Sequence, residues 1–151
     1  MAPRSVSFIS FCAVNVLIDV ESLYNLMHHR FPVHAFFHTY VGASIAAIAT
    51  VLLFMALQWF ASRFWLPNVF SWQSLCTKQV AIGAILGAYS HVLFDSIMHS
   101  DISPLAPFSN ANGLHGALSV LELHLLCLAL AAFGLAIVSL RHIHKDEDRQ
   151  R

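Results

Sequence analysis

Four stretches of this chain are long, apolar and nearly free of charge, and they constrain its fold more than any other feature. The clearest runs from Ala35 to about Phe60 without a formal charge. A helix rises about 1.5 Å per residue and the hydrocarbon core of a membrane is roughly 30 Å thick, so about 20 such residues can cross it. We place spans at about residues 6–27, 33–60, 80–98 and 114–140. The sequence therefore predicts an all-α, polytopic membrane protein with four transmembrane helices in a bundle, as a single domain over residues 1–140 with a polar tail over 141–151.

The composition excludes several other classes of protein. Hydrophobic residues make up 58% of the 151 positions and charged residues 11%, against roughly 45–50% and about 25% in soluble domains. The mean hydropathy of +0.67 excludes a disordered chain. Eight Lys and Arg balance eight Asp and Glu, so no nucleic-acid partner is expected. A secretory signal peptide over the first span is disfavoured, because acidic residues follow it instead of a small-x-small cleavage site.

Proline and glycine place the helix boundaries and contacts. Pro32 suits the first turn of the second helix. Gly83 and Gly87 form a small-xxx-small pattern on the third span, which favours close helix packing and offers a face for oligomerisation. The other expected partners are membrane lipids.

The distribution of basic residues predicts the orientation. Only Arg30 falls on one side of the predicted spans. The other seven fall on the opposite side: Arg4, Arg63, Lys78, Arg141, Lys145, Arg149 and Arg151. The positive-inside rule then places both termini in the cytoplasm of a multi-pass inner-membrane protein.

Ionisable side chains gather at the predicted outer ends of the spans. They are Asp19, Glu21, His28, His29, Arg30, His34, His38, His91, Asp95, His99, Asp101 and His115. Charged and titratable groups are costly within or beside a span and usually mark a functional site. We therefore expect a site at the outer face, built from the first three spans.

The spacing of these residues indicates a metal site. Residues four apart on a helix differ by about 40° in direction, so His91, Asp95 and His99 share one stripe. His34 and His38 are predicted to form another. Mixed imidazole and carboxylate ligands suit zinc, which we favour, with manganese, iron or magnesium as alternatives.

Asp19 and Glu21 are about 200° apart on a helix, so they cannot point at one spot. Asp19 shares its face with Asn15. We predict Asp19 as a metal ligand and Glu21 as a supporting group or general base.

Two segments resemble a known family. His29-Arg-Phe-Pro-Val-His34-Ala is similar to a His-Arg-Gly-x-Thr-His-Ser signature. Ser90-His-Val-Leu-Phe-Asp95-Ser, followed by Pro104-Leu-Ala-Pro-Phe-Ser, is similar to a Ser-His-Leu-x-x-Asp…Pro-Phe signature. Both belong to the YdjM-type LexA-regulated inner-membrane proteins, described as predicted metal-dependent hydrolases. The resemblance implies a metal site formed by His29, His34, His91, Asp95 and Asp19.

These expectations lead to a metal-dependent hydrolase at the outer membrane–water interface, acting on a lipid phosphate or another ester. Glu21 or Asp101 would take a proton from water, and Arg30 would hold an anionic substrate group. Three alternatives remain open: a metal, ion or proton transporter, a haem-binding bundle that uses His38 and His124, and a non-catalytic membrane protein.

Overall fold

The computed structural model describes residues 6–150, with the side chains of all of these except residue 70 and residues 141–150. This part of the chain contains four α-helices and no strand. They are α1 (Phe8–Met27), α2 (Tyr40–Ala61), α3 (Thr77–Met98) and α4 (Val120–Gln150). Each contains a segment long and apolar enough to cross a membrane, which in α4 is Val120–Leu140. The all-α class and the four candidate spans are therefore confirmed.

Five of the basic residues that predict the orientation are not fully described by the structure. Arg4 and Arg151 lie outside the described residues, as do the side chains of Arg141, Lys145 and Arg149.

The first three helices form a bundle. Helix α3 packs against both α1 and α2. Helices α1 and α3 run parallel, because the Ser7 N–H at the start of α1 donates to the Gln79 carbonyl at 3.0 Å near the start of α3. Helix α2 runs antiparallel to them, since Gln58 at its end donates to the Leu75 carbonyl just before α3.

The interior of this bundle is built from small side chains. The buried core consists of Val14, Ile18, Ala43, Ala46, Ala47, Ala84, Ala88 and Val92. Large apolar side chains such as Leu52, Leu53 and Leu86 are exposed on the outside. In water such a surface would be costly, whereas in lipid it is the expected exterior.

Gly83 and Gly87 bring α1 and α3 together within the chain. A Cβ added at Gly83 would run into the Ser7 carbonyl oxygen, and one at Gly87 would meet Val14. Both glycines are buried. The face on which the sequence predicts oligomerisation is thus covered by α1, and oligomerisation itself stays a prediction.

The second helix begins at Tyr40, whereas the sequence predicts a start near residue 33. Thr39 caps it, because its hydroxyl accepts from the Gly42 N–H at 2.9 Å. The preceding residues form a loop that ends in a 3-10 turn, Phe36–His38. His34 and His38 therefore lie on this loop, not on one helical stripe.

The chain divides into two compact units between His115 and Gly116, and the single membrane domain stays a prediction. The second unit contains α4, which begins at Val120 and extends through the predicted tail to Gln150. Its N-terminus is capped by Ser119 and Glu122, since the Glu122 carboxylate accepts from the Ser119 N–H at 2.8 Å.

Candidate metal centre

Three elements bring four metal-ligand side chains together at one end of the α1–α3 bundle. Asp19 lies in the second half of α1, His38 in the 3-10 turn, and His91 and Asp95 near the end of α3. Because α1 and α3 are parallel and the turn precedes α2, all four reach the same end. We call them the four-residue cluster.

The ligand atoms of this cluster converge closely. His91 Nε2 lies 3.2 Å from both Asp19 Oδ1 and Asp95 Oδ2. His38 Nε2 lies 3.4 Å from Asp95 Oδ2 and 3.7 Å from Asp19 Oδ1. The two Nε2 atoms are 3.3 Å apart. Zinc binds nitrogen and oxygen at about 2.0–2.2 Å, so tetrahedral ligands lie roughly 3.3–3.6 Å from one another. The observed spacings match that separation.

Asn15 determines which nitrogen of His91 faces the cluster. The Asn15 amide donates to the Phe11 carbonyl at 2.6 Å, which turns its oxygen towards His91 Nδ1 at 2.8 Å. An amide oxygen can only accept, so Nδ1 carries the hydrogen and Nε2 of the neutral ring carries a lone pair. In the neutral ring that lone pair is available to a metal ion, whereas in the protonated ring Nε2 donates to the carboxylate oxygens of Asp19 and Asp95.

His38 is the most enclosed member of the cluster, and Asp19 is the most open. The His38 side chain is 0% exposed, whereas that of Asp19 is 57% exposed. The Ser22 hydroxyl lies 3.5 Å from His38 Nδ1, behind the nitrogen that faces the cluster. The cluster is thus closed on the bundle side and accessible on the Asp19 side.

Two carboxylates hold the loop that carries His34 and His38. The oxygens of Glu21 accept from the backbone N–H groups of Phe36 at 3.2 Å and Phe37 at 2.6 Å. Asp101 Oδ2 accepts from those of Val33 at 3.0 Å and His34 at 3.1 Å. These four amides bond to side chains from other elements, which explains why the segment does not continue α2 as a helix.

A second group of ligand-type residues lies beside the first. His34, His99 and Asp101 each offer one ligand atom within 4.8 Å of the others, and we call them the three-residue cluster. His34 Nδ1 lies 3.0 Å from Asp101 Oδ1. The His99 ring stacks on that of His34 with centroids 4.2 Å apart. The His34 ring also meets the edge of the His38 ring at 4.7 Å, so the two clusters are in contact.

The surroundings favour the metal-binding protonation states of Asp101 and His99. Burial works to raise the pKa of Asp101, but the hydrogen bonds from the backbone and ring of His34 together lower it below its ordinary value. Burial, followed by the neighbouring His34, lowers the pKa of His99. Asp101 is therefore ionised and His99 neutral at neutral pH, the forms that metals bind.

An open cleft of about 580 Å³ runs along both clusters. Its lining includes the polar side chains of Asp19, His34 and Asp101 and the apolar side chains of Leu23, Leu26 and Phe31. A molecule with a polar head and an apolar tail matches this mixed lining.

The structure distributes the predicted site residues among several positions. Asp19, His91 and Asp95 lie in the four-residue cluster, and His34 and Asp101 lie in the three-residue cluster. Neither cluster contains His29, Arg30 or Glu21. His29 follows α1 with a φ of 52°, and the Arg30 guanidinium lies 5.2 Å from the Tyr24 ring centroid.

Three members of these clusters, His38, His99 and Asp101, are outside the predicted ligand set, since the sequence predicts Asp101 as a proton acceptor. The signal in the sequence that points to them is their position among the ionisable side chains at the predicted outer ends of the spans.

Comparisons with models of known protein families, with curated proteins and with solved structures found no match to this chain. The functional argument therefore depends on the residues and geometry of the two clusters.

Proposed function

We propose that the protein is a membrane-embedded, metal-dependent hydrolase that acts on a lipid phosphate or another lipid ester at the outer face of the inner membrane. The observation that carries this proposal is the convergence of two imidazole nitrogens and two carboxylate oxygens at 3.2–3.7 Å. These are ligand atoms for a divalent cation, and zinc suits this ligand set best.

The exposure of the cluster supports catalysis over a purely structural metal site. Catalytic zinc sites keep a coordination position for water or substrate, which an ion with these four ligands gains by becoming five-coordinate or by releasing the exposed Asp19. The four-residue cluster opens to the cleft on the Asp19 side. A divalent ion held there supplies Lewis acidity and lowers the pKa of water to about 7.

The residues around the cluster have separable roles in this proposal. Asn15 and Ser22 orient the two imidazoles from behind. Glu21 positions His38 by holding the backbone of the 3-10 turn. Arg30, the only basic residue between Arg4 and Arg63, binds the anionic group of the substrate.

Two further features favour a lipid substrate in a bacterial-type inner membrane. The cleft is lined by apolar side chains and by Asp19, His34 and Asp101, which suits an amphipathic ester. The resemblance of residues 29–35 and 90–96 to the YdjM-type signatures implies the same reaction class.

We favour hydrolysis over transport because the bundle interior away from the cluster is apolar. Its core is formed by alanine, valine and isoleucine. The buried hydroxyls of Ser10 and Thr50 bond to backbone carbonyls. An ion path to the opposite end would need polar groups there.

The proposal is tested with detergent-purified protein loaded with zinc, manganese or magnesium. Phospholipid and polyprenyl phosphate substrates are supplied in mixed micelles, and released phosphate or fatty acid is measured. We expect product from wild type and from His28→Ala, whose exposed ring bonds only to the Tyr24 carbonyl, and none above background from Asp95→Asn. Equal background release by wild type and Asp95→Asn across the substrates and metals would refute hydrolysis.

A further inference from the structure

We propose that His34, His99 and Asp101 bind a second divalent metal ion, next to the one assigned to the four-residue cluster. This inference extends the proposed function from one ion to two, although the binding of the second ion does not require the activity. None of these three residues belongs to the four-residue cluster.

The three-residue cluster has the donor chemistry of a metal site. Two imidazoles and one carboxylate are ligands that zinc, manganese and iron share. Each residue offers a ligand atom within 4.8 Å of the other two. Three protein ligands leave at least one coordination position for water or substrate.

The hydrogen bonds of this cluster leave the ring nitrogens of His99 available to a ligand. Asp101 uses Oδ2 for the two backbone N–H groups of the loop and faces the His34 ring with Oδ1. His99 is partly buried and stacks on His34, and its ring nitrogens make no hydrogen bond within the described part of the chain, so they are open to solvent. An accessible imidazole nitrogen beside a carboxylate is available as a metal ligand.

The three-residue cluster lies where a second ion could contact the same substrate as the first ion. The rings of His34 and His38 are in edge contact, and the Asp19, His34 and Asp101 side chains line the same cleft. Two metal ions that share one cleft stabilise the attacking and leaving oxygens of a phosphate ester from both sides. Among the substrates of the proposed function, a second ion would therefore favour phosphate esters.

The test is metal stoichiometry of the full-length protein in detergent, with Zn²⁺ alone as the ligand. Elemental analysis after loading and desalting should give two equivalents in wild type and one in His99→Ala. His91→Ala should also give one, and the double variant none. His28→Ala is the matched control and should keep two. The His99→Ala change removes no side-chain hydrogen bond, and the elution volume in size-exclusion chromatography verifies its fold.

Electron paramagnetic resonance with Mn²⁺ gives a readout independent of both stoichiometry and activity. Two neighbouring ions in wild type should give a spectrum broadened by dipolar coupling, and His99→Ala should give the six-line signal of an isolated ion.

Two other outcomes of the metal analysis separate the second site from the proposed activity. One equivalent in wild type that His99→Ala retains and His91→Ala loses would overturn the second site and leave the first. Two equivalents in wild type without hydrolysis of any substrate would support the second site and refute the proposed activity.

Discussion

At the scale of single residues, Asn15 connects the helix backbone to the chemistry of the cluster. Its amide is held by the Phe11 carbonyl on one side and meets His91 Nδ1 on the other. Such a partner fixes the tautomer and orientation of a metal-binding histidine. The metal affinity should therefore depend on a residue that is not itself a ligand.

We predict that Asn15→Leu weakens zinc binding by about 10–100-fold, the usual effect of removing such a partner. A competition titration against a chromophoric chelator measures the change. The number of zinc ions bound at saturation should stay that of wild type, because all four ligands of the cluster remain. Asn110→Leu, on an exposed loop, is the control. Wild-type affinity in Asn15→Leu would show that the hydrogen bond does not orient His91 for a metal.

Residue spacing predicts the helical placement of one pair of ligand side chains correctly and that of another pair incorrectly. Helical periodicity places His91 and Asp95 on one stripe, and the structure brings their side chains within 3.2 Å of each other. That inference needs only the geometry of one helix. His34 and His38 have the same spacing but lie on a loop, because Glu21 and Asp101 bind its backbone amides. Those contacts join residues far apart in sequence, so no local pattern reveals them.

At the scale of helices, the contact between α1 and α3 sets the register of the site. Parallel packing places Asn15 opposite His91 and lets Asp19 meet the same imidazole. The small-xxx-small pattern predicts a close helix contact correctly. It does not reveal the partner, since lipid-facing and bundle-facing glycines look alike in sequence. The structure assigns the partner as α1.

We predict that Gly83→Val destabilises the protein by about 1–3 kcal/mol, the usual cost of overpacking a tight contact. The added side chain would collide with the backbone oxygen of Ser7 at the start of α1. Gly134→Val in α4 is the matched control, because an added Cβ there meets nothing within 4 Å. Thermal unfolding in detergent, followed by circular dichroism, should show a lower midpoint for Gly83→Val alone. Equal midpoints for the two variants would contradict the tight contact.

At the scale of the whole molecule, the distribution of side-chain size agrees with a membrane setting. Small residues, mainly alanine and glycine, lie in the interior of the bundle of α1, α2 and α3. Many leucine, phenylalanine and tryptophan side chains are exposed on its outer surface. Helices of 20–22 residues span about 30–33 Å, the thickness of the hydrocarbon core. The two clusters lie at the end of α3 that faces the loop of Asn112, whose amide donates to the Ser96 carbonyl. They are therefore on whichever side of the membrane that loop occupies.

The basic residues predict that the two clusters and the loop of Asn112 lie on the outer side of the membrane, and cysteine labelling tests this orientation. Cys76 precedes α3 and is exposed, while residue 110 follows α3, so one span separates them. We predict that an Asn110→Cys variant without the three native cysteines reacts with an impermeant maleimide in right-side-out vesicles. A second variant that keeps only Cys76 should react only after permeabilisation, because the loop with Arg63 and Lys78 is expected in the cytoplasm. The opposite labelling pattern would move both clusters to the cytoplasmic face, and labelling of both sites from one side would contradict α3 as a span.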